Sequence, residues 1–427
     1  VLIEFRVENH RSIRDEQALT LEAGRVGASE DPRPRQVQGC AKKILPVAAI
    51  YGANASGKSN VLAAIGSMRE AVVFSLRNWS PDEGIPQDPF AWGAKSTEAT
   101  SFEVQIVIEG TRYRYGFKFN EKVFLEEWLY AWPNGKKQTW LERVEETYTF
   151  GENLRGENKV IEDVTRPNAL FLSAAAQLKH PQLSPIYTWF GSIETINLAP
   201  RRSLSGPSFF MHHGSENAIA SMIEESNQTS LFPDLNPALS MANRFKALLK
   251  NADVGIEDVR ATRREQAGRS RPWQIEVKHQ NETNDAWLPL EEESKGTRTL
   301  FRLALPVLRA IDRGRILVVD ELESSMHPNL AEHIVSQFND PQINIRNAQL
   351  IFTTHDTNLL GTLFGEPVLR RDQVWLTEKD GNGASVLYPL TDFKPRKEEN
   401  VERGYIQGRY GAIPYLGNFR IPTDDTP

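Results

Sequence analysis

Eight residues, Gly52-Ala53-Asn54-Ala55-Ser56-Gly57-Lys58-Ser59, constrain this chain more than any other stretch. They fit the phosphate-loop pattern G-x-x-x-x-G-K-[ST] in full. Ordinary residue frequencies produce that pattern by chance in only about one or two per cent of chains of this length. Upstream, Ile44-Leu45-Pro46-Val47-Ala48-Ala49-Ile50-Tyr51 is an apolar run of buried-strand length. Downstream, Val61, Leu62, Ile65 and Met68 give Ser59 to Val73 helical spacing. Strand, glycine-containing loop and helix therefore follow in the order that phosphate binding requires. The glycines let successive N–H groups turn inward, and the helix adds the positive end of its dipole. In that reading residues 52–60, Asn60 included, cradle the phosphates. Lys58 brings its charge to the β and γ positions, and the Ser59 hydroxyl ligates Mg²⁺.

The rest of the chain supports an α/β core. Arg315 to Asp320 and Gln349 to His355 are buried β-branched runs, alternating with helices at Thr297 to Ile311 and Pro328 to Phe338. Pro306 is expected to interrupt the first of these helices. The N-terminal third reads as antiparallel. Leu2, Phe5, Val7, Ile13, Leu19 and Leu21 suggest two short strands around a turn at Asn9-His10-Arg11-Ser12. Phe102 to Ile108 and Tyr113 to Phe119 alternate about Gly110-Thr111 as a hairpin, and Val123 to Trp132 adds a strand. More short strands are expected through 134–165. From 166 to 258 the pattern becomes helical, at Leu170 to Leu178, Ile186 to Phe190, Asn217 to Ser226 and Pro237 to Asn251. Strands resume from Gln274, and Gly381-Asn382-Gly383 marks a late hairpin. This divides the chain into an N-terminal lobe at 1–165, a helical insertion at 166–258 and a C-terminal lobe at 259–427.

Phosphoryl transfer also needs a carboxylate for the metal and a group to aim the attacking water. Val318-Val319-Asp320-Glu321 offers both at a strand's C-terminal end, where open α/β sheets bind ligands. Asp320 would orient the Mg²⁺ shell, and Glu321 would be the general base or the water-positioner. Alone, such a pair is a pair of solvated acids; a phosphate loop upstream and a second buried strand downstream favour the chemical reading. His355 closes that second strand, where it fits a γ-phosphate sensor. Ser294-Lys295-Gly296-Thr297 opens a helix, and a Ser and a Gly there make an anion site, or in isolation a plain helix cap.

In this order the four pieces resemble the ATP-binding-cassette heads of the RecF and SMC group. More narrowly they are similar to the AAA-type, RecF-like ATPases of bacterial anti-phage operons, the ATPase subunits of Rlo-type (RloA) and PARIS-type (AriA) systems among them. The resemblance extends from residue 1 to about 417. It rests on Phe5 to Ile13, Asp320 to Pro328, Thr353-Thr354-His355-Asp356 and Gly408 to Pro414. His10 stands where a Phe is more usual, and Ser294 to Thr297 departs from the transporter Ser-Gly-Gly-Gln. The resemblance implies an α/β, P-loop ABC-type ATPase head with a mixed sheet, an antiparallel β subdomain and a helical insertion. It implies ATP and Mg²⁺, with Glu321 and His355 in catalysis. Ser294, Gly296 and Thr297 would grip the γ-phosphate held by an opposing protomer, and Ser324 to His327 would cross the seam. Arg11 and Ser12 would contact the nucleotide's base or phosphates. A homodimer or higher homo-oligomer through ATP-sandwiched heads follows, with a separately encoded Toprim-type nuclease as effector. About seventy residues after His355 are too few for such a domain. Gln177 is the candidate for the glutamine of the Q-loop.

Lys plus Arg is 50 against 56 for Asp plus Glu, a formal net charge of −6, which excludes a uniformly basic nucleic-acid coat but not a local patch. Arg260, Arg263, Arg264, Arg269 and Arg271, with Trp273 nearby, are such a patch, either a solvated face or a contact for nucleic acid or an acidic protein. The single cysteine, Cys40, excludes a disulfide framework and a cysteine zinc cluster. His212-His213 has no third ligand at metal spacing. No signal peptide and no membrane-length apolar run is present, so the expected setting is cytoplasmic and off the membrane. The rival readings are a RecF-like DNA-repair ATPase acting directly on DNA and a slowly hydrolysing ATP-dependent scaffold.

Overall fold

The apolar run before the phosphate loop becomes β3 (Val47–Gly52), every residue of it buried, in the middle of a six-stranded sheet. The computed structural model describes residues 1–26, 30–198, 211–227, 237–252, 255–266, 269–279, 287–361, 367–396 and 399–414; of 211–215, 227, 237–239, 263–266 and 269–272 it describes the backbone. In chain order β1 is Leu2–Glu8, β2 Gln17–Thr20, and β3 is followed by α1 (Lys58–Phe74). Then come β4 (Thr100–Ile108), β5 (Thr111–Phe119), β6 (Phe124–Trp132), β7 (Gln138–Val144) and β8 (Thr147–Phe150). Next are α2 (Asn158–Val164), α3 (Phe171–Gln177), α4 (Ser184–Gly191), β9 (Glu194–Ile196), α5 (Met211–Asn227) and α6 (Pro237–Asn251). The remainder is β10 (Ile256–Gln266), β11 (Arg269–His279), β12 (Trp287–Pro289), α7 (Lys295–Arg313), β13 (Ile316–Val319), α8 (Pro328–Asn339), β14 (Gln349–Thr353), β15 (Val374–Lys379), β16 (Ser385–Pro389) and α9 (Val401–Ile406).

The central sheet has the order β16-β15-β3-β14-β13-β9. All its pairings are parallel except the β15–β16 hairpin. A seven-stranded antiparallel sheet, β2-β1-β4-β5-β6-β7-β8, and a three-stranded one, β10-β11-β12, flank it. The central sheet is the wall between two cores, and strand alternation decides which residue faces which. Ala48, Ile50, Val318 and Ile351 face the core shared with α1, α3, α4 and the aromatic inner face of the antiparallel sheet. Val47, Ala49, Tyr51, Leu317, Val319, Leu350 and Phe352 face the second core, shared with α5 to α8 and β10–β11. Burial on both faces is why these strands read as unbroken apolar runs.

One side chain ties the antiparallel lobe to the wall. Gln349, at the start of β14 and fully buried, accepts from Leu2 N–H at 2.6 Å and donates to Leu2 C=O at 2.8 Å. Its amide pairs with Leu2 as a neighbouring strand would.

Three expectations change. Residues 166–258 are not one helical insertion. β9 lies inside that span as the edge strand beside β13, α3 and α4 pack on the first core, and α5 and α6 pack on β10 and α7 in the second. A strand of three residues carries no readable period. Strands resume at Ile256, earlier than Gln274, because β10 exposes charge on one face while Ile256 and Val259 are buried on the other. Finally, α7 runs unbroken through Pro306. The proline costs about 3 kcal/mol through a lost intrahelical bond and the crowding of its ring against the preceding turn, against burial of Leu300, Phe301, Leu303, Ala304, Leu305 and Val307 on the same helix. Among the described residues no helix is long and apolar enough to cross a membrane.

Gln349→Leu keeps the volume but leaves both backbone groups of Leu2 unpaired in a buried place. The expected cost is about 2–5 kcal/mol, read as a lower urea midpoint. An unchanged midpoint would mean that the two lobes do not depend on this bond.

Candidate functional site

The loop after β3 is laid over a stack of hydroxyls supplied by the opposite end of the chain. β15 runs parallel to β3 with Thr377 level with Gly52. Asn60 Nδ2 donates to Ser12 Oγ at 2.6 Å, and Ser12 Oγ meets Ser385 Oγ at 2.7 Å. Ser385 Oγ donates to Ser56 C=O at 2.6 Å, while Ser385 N–H donates to Ser12 C=O at 2.7 Å. The proton order is therefore fixed: Ser12 must donate to Ser385. A second brace runs from Ser56 Oγ to Thr377 Oγ1 at 2.6 Å and on to Tyr51 C=O. Gly57, at φ 110°, leaves no room for a Cβ, which would collide with Ser385 Oγ. Ala53, Asn54 and Ala55 form the outer part of the loop, the last two exposed.

Lys58 lies back along the loop and donates to Gly52 C=O at 2.8 Å and Ala53 C=O at 3.1 Å. Burial pushes its pKa down, and Asp320, Glu321 and Glu323 pull it up. Ser59 Oγ donates to Asp320 Oδ1 at 3.0 Å, joining residues 261 positions apart. The same carboxylate oxygen accepts from Thr353 Oγ1 at 2.5 Å, and Thr353 Oγ1 accepts from Glu321 N–H at 2.8 Å. Glu321 itself is exposed and sits at φ 52°, so the chain turns sharply out of β13 there.

His355 N–H donates to Glu323 Oε1 at 2.7 Å, and the other oxygen of Glu323 is buried without a hydrogen bond among the described residues. Desolvation, then Lys58, push the His355 pKa below its ordinary value, against Glu323, Glu321 and Asp320, so its neutral form prevails at neutral pH.

Ser294 is the N-cap of α7: its Oγ accepts from Thr297 N–H at 3.1 Å and meets Thr297 Oγ1 at 2.8 Å. A Cβ on Gly296 would lie 2.5 Å from Ser325 C=O, so the start of α7 rests on the turn that follows Glu321. No hydrogen bond joins these residues to the 52–59 loop among the described residues; Ser294 is exposed. Arg11, at φ 52°, donates through its backbone to Asp88 C=O at 2.6 Å and through Nε to Asp88 Oδ2 at 3.4 Å.

Gln177 is bonded at 3.3 Å to the Tyr187 hydroxyl, at the contact of α3 with α4. The side-chain amide that reaches the strand-end acid is instead Asn197, just past β9, which donates to Asp320 C=O at 3.2 Å. Only the placement of β9 beside β13 reveals it. Arg260 is paired with Glu276 at 2.7 Å and lies 4.2 Å from the Trp287 ring centre. The side chains of Arg263, Arg264, Arg269, Arg271, His212 and His213 lie outside the described residues. Among the described residues no three His, Cys, Asp or Glu side chains form a metal cluster. A hydroxyl and a carboxylate oxygen 3.0 Å apart beside a buried lysine do suit Mg²⁺, which takes few protein oxygens and completes its shell with phosphates and water.

The family model described as "AAA domain, putative AbiEii toxin, Type IV TA system" matches residues 47–361, from β3 past His355. No curated protein matches the chain. Among solved structures, an SMC head bound to the C-winged helix domain of ScpA is similar at TM-score 0.46 and 13% identity, over 91% of this chain and 97% of that one. The SMC head domain from Thermotoga maritima is similar at TM-score 0.40 and 13% identity, over 91% of this chain and 98% of that one. A Pyrococcus furiosus Smc head with an extended coiled coil, bound to the C-terminal domain of ScpA, gives TM-score 0.40 and 13% identity over 92% and 97%.

Ser385→Ala removes the middle of the hydroxyl relay and leaves Ser56 C=O without its donor. A loss of about 1–3 kcal/mol is expected, measured by urea denaturation. Ser385→Thr, which keeps the hydroxyl, should recover most of it.

Proposed function

The chain belongs to this AAA-domain family, and we propose that it is a nucleotide-binding, P-loop ABC-type head that binds and hydrolyses ATP to control a partner effector. The observation that carries the reading is the 3.0 Å contact between Ser59 Oγ and Asp320 Oδ1, which unites the loop hydroxyl with the strand-end carboxylate. The β and γ phosphates are taken by the N–H groups of residues 52–60 and by Lys58, which exchanges its loop carbonyls for phosphate oxygens. Ser59 and Asp320 hold the metal. Mg²⁺ bound there supplies charge neutralisation for the transferring phosphate.

Glu321 is the general base. As the water oxygen bonds to the γ-phosphorus and the bond to the bridging oxygen breaks, the water's proton passes to its carboxylate and ADP departs. Thr353 holds the Glu321 backbone, and Glu323 holds that of His355, whose neutral ring donates its N–H to a γ-phosphate oxygen. Ser294, Gly296 and Thr297 serve the nucleotide of a second copy. The exposure of Ser294 at a helix start, with no bond from these residues to their own loop among the described residues, supports this. The hydrolysing unit is then a dimer of heads. The motif resemblance to Rlo-type and PARIS-type ATPases supports an anti-phage role in which the nucleotide state governs a Toprim-type nuclease.

Lys58→Ala should lose nucleotide binding with its circular dichroism unchanged; normal turnover in this variant would sink the reading. Glu321→Gln should keep ATP affinity and slow hydrolysis by a factor of at least about a hundred, trapping the ATP-closed dimer seen by native mass spectrometry. Wild-type turnover would move the base role to Glu323.

The trans arrangement has its own test. Lys58→Ala and Ser294→Arg homodimers should both be inactive. Mixed with subunit exchange, they form a dimer in which one site pairs an intact Lys58 with an intact Ser294, and partial ATPase activity should return. No rescue, with mixed dimers confirmed, would count against a site shared between chains.

A further inference from the structure

The most exposed large aromatic side chain among the described residues is Trp92, at 61%. It does not float. Phe90 meets it edge to face, ring centres 5.2 Å apart at 83°. Phe90 is buried, and its N–H donates to Asn9 Oδ1 at 2.9 Å, next to the 9–12 turn. On another side the indole edge rests on Gly383, where a Cβ would lie 3.1 Å from the ring. Gly383 is in the tip of the β15–β16 hairpin, two residues before Ser385, whose hydroxyl holds Ser56 of the phosphate loop at 2.6 Å. Lys379 Nζ closes the same tip on Gly383 C=O at 2.8 Å.

The direction of a bound nucleotide follows from the sheet. β14 and β13, with Asp320, Glu321 and His355, lie on one flank of β3, and β15 lies on the other. The metal and γ-phosphate end of the nucleotide belongs to the acidic flank. The sugar and base must therefore leave the loop over the β15 flank. That flank presents the 9–12 turn, the 380–384 tip and Trp92, all beyond the C-terminal end of β3.

We infer that Trp92 is the stacking platform for the base of the nucleotide whose phosphates occupy residues 52–60. The inference rests on the proposed nucleotide reading and adds to it the residue that grips the base. An indole held on two sides and still 61% exposed offers its surface to a flat aromatic ring. Stacking of this kind accepts any base, so Trp92 supplies affinity rather than a choice between bases.

The test is equilibrium binding by titration calorimetry with two probes, ATP and inorganic tripolyphosphate, both with Mg²⁺. In the wild-type chain both should bind, and both should be lost in Lys58→Ala. Trp92→Ala should weaken ATP about five- to a hundredfold and leave tripolyphosphate unchanged, while Trp92→Phe should keep most of the ATP affinity. Equal ATP binding in wild type and Trp92→Ala overturns the inference and leaves the nucleotide site standing. Equal weakening of ATP and tripolyphosphate overturns it too, because the residue then only shapes the loop. If wild type binds neither probe, the proposed function falls and this inference with it.

Discussion

The Thr353 hydroxyl, fully buried at the end of β14, donates to Asp320 Oδ1 at 2.5 Å and accepts from Glu321 N–H at 2.8 Å. Ser59 reaches the same Asp320 oxygen from the phosphate loop. Three segments of the chain thus converge on two oxygens around a buried hydroxyl, where hydrogen bonds are strong and an unpaired group is costly. The convergence depends on backbone register. Val319 pairs with Phe352, and Thr353 pairs with Ile50, so β13 and β14 end within a residue of each other and β3 runs two residues further into the phosphate loop. A slip of one residue in either ladder would turn the hydroxyl to the other face of the sheet and separate the loop from its carboxylate.

The wall that holds these strand ends separates two kinds of work. On the first-core side the antiparallel sheet packs rings from Phe5, Phe102, Phe117, Phe119 and Phe124 against one another. It presses the 9–12 turn and the loop carrying Phe90 and Trp92 toward one flank of the phosphate loop. On the other side α7 and α8 both pack on one face of β13 and β14, and both helices begin near the turn after Glu321. The tail joins in: Tyr405 meets Tyr51 edge to face at 5.5 Å, and Tyr51 donates to Asp356 C=O at 3.0 Å. The base of the loop and the residue after His355 are thereby held by one aromatic pair.

Much of this was legible in the residues. β3, β13 and β14 announce themselves because double-sided burial makes them apolar throughout, and the β4–β5 hairpin because single-sided burial makes it alternate. The loop, Asp320 and Thr353 fall on strand ends for the same reason. What stayed hidden is what depends on distant pairing. Ser385 and Thr377 are ordinary strand residues until β15 is set beside β3, more than three hundred positions away. Asn197 means nothing until β9 joins β13. Ser12 shows the same effect: its hydroxyl is engaged with Asn60 and Ser385, a brace that no local pattern encodes. Pro306 marks a break by local backbone preference alone, and the apolar face that holds α7 together overrides it.

Gly296 touches Ser325 main chain to main chain, with no side chain between them. A contact through side chains has slack, since rotamers can turn and absorb a small shift. A contact between two backbones has none: it behaves as a stop against which one segment bears on the other. Residues 321 to 325 descend directly from the strand carrying Asp320 and include two left-handed positions, Glu321 and Ser325, which leave that turn few other shapes. A push from the turn after Glu321 would therefore bear directly on the first turn of α7, a helix of 19 residues that packs against α5 and α6.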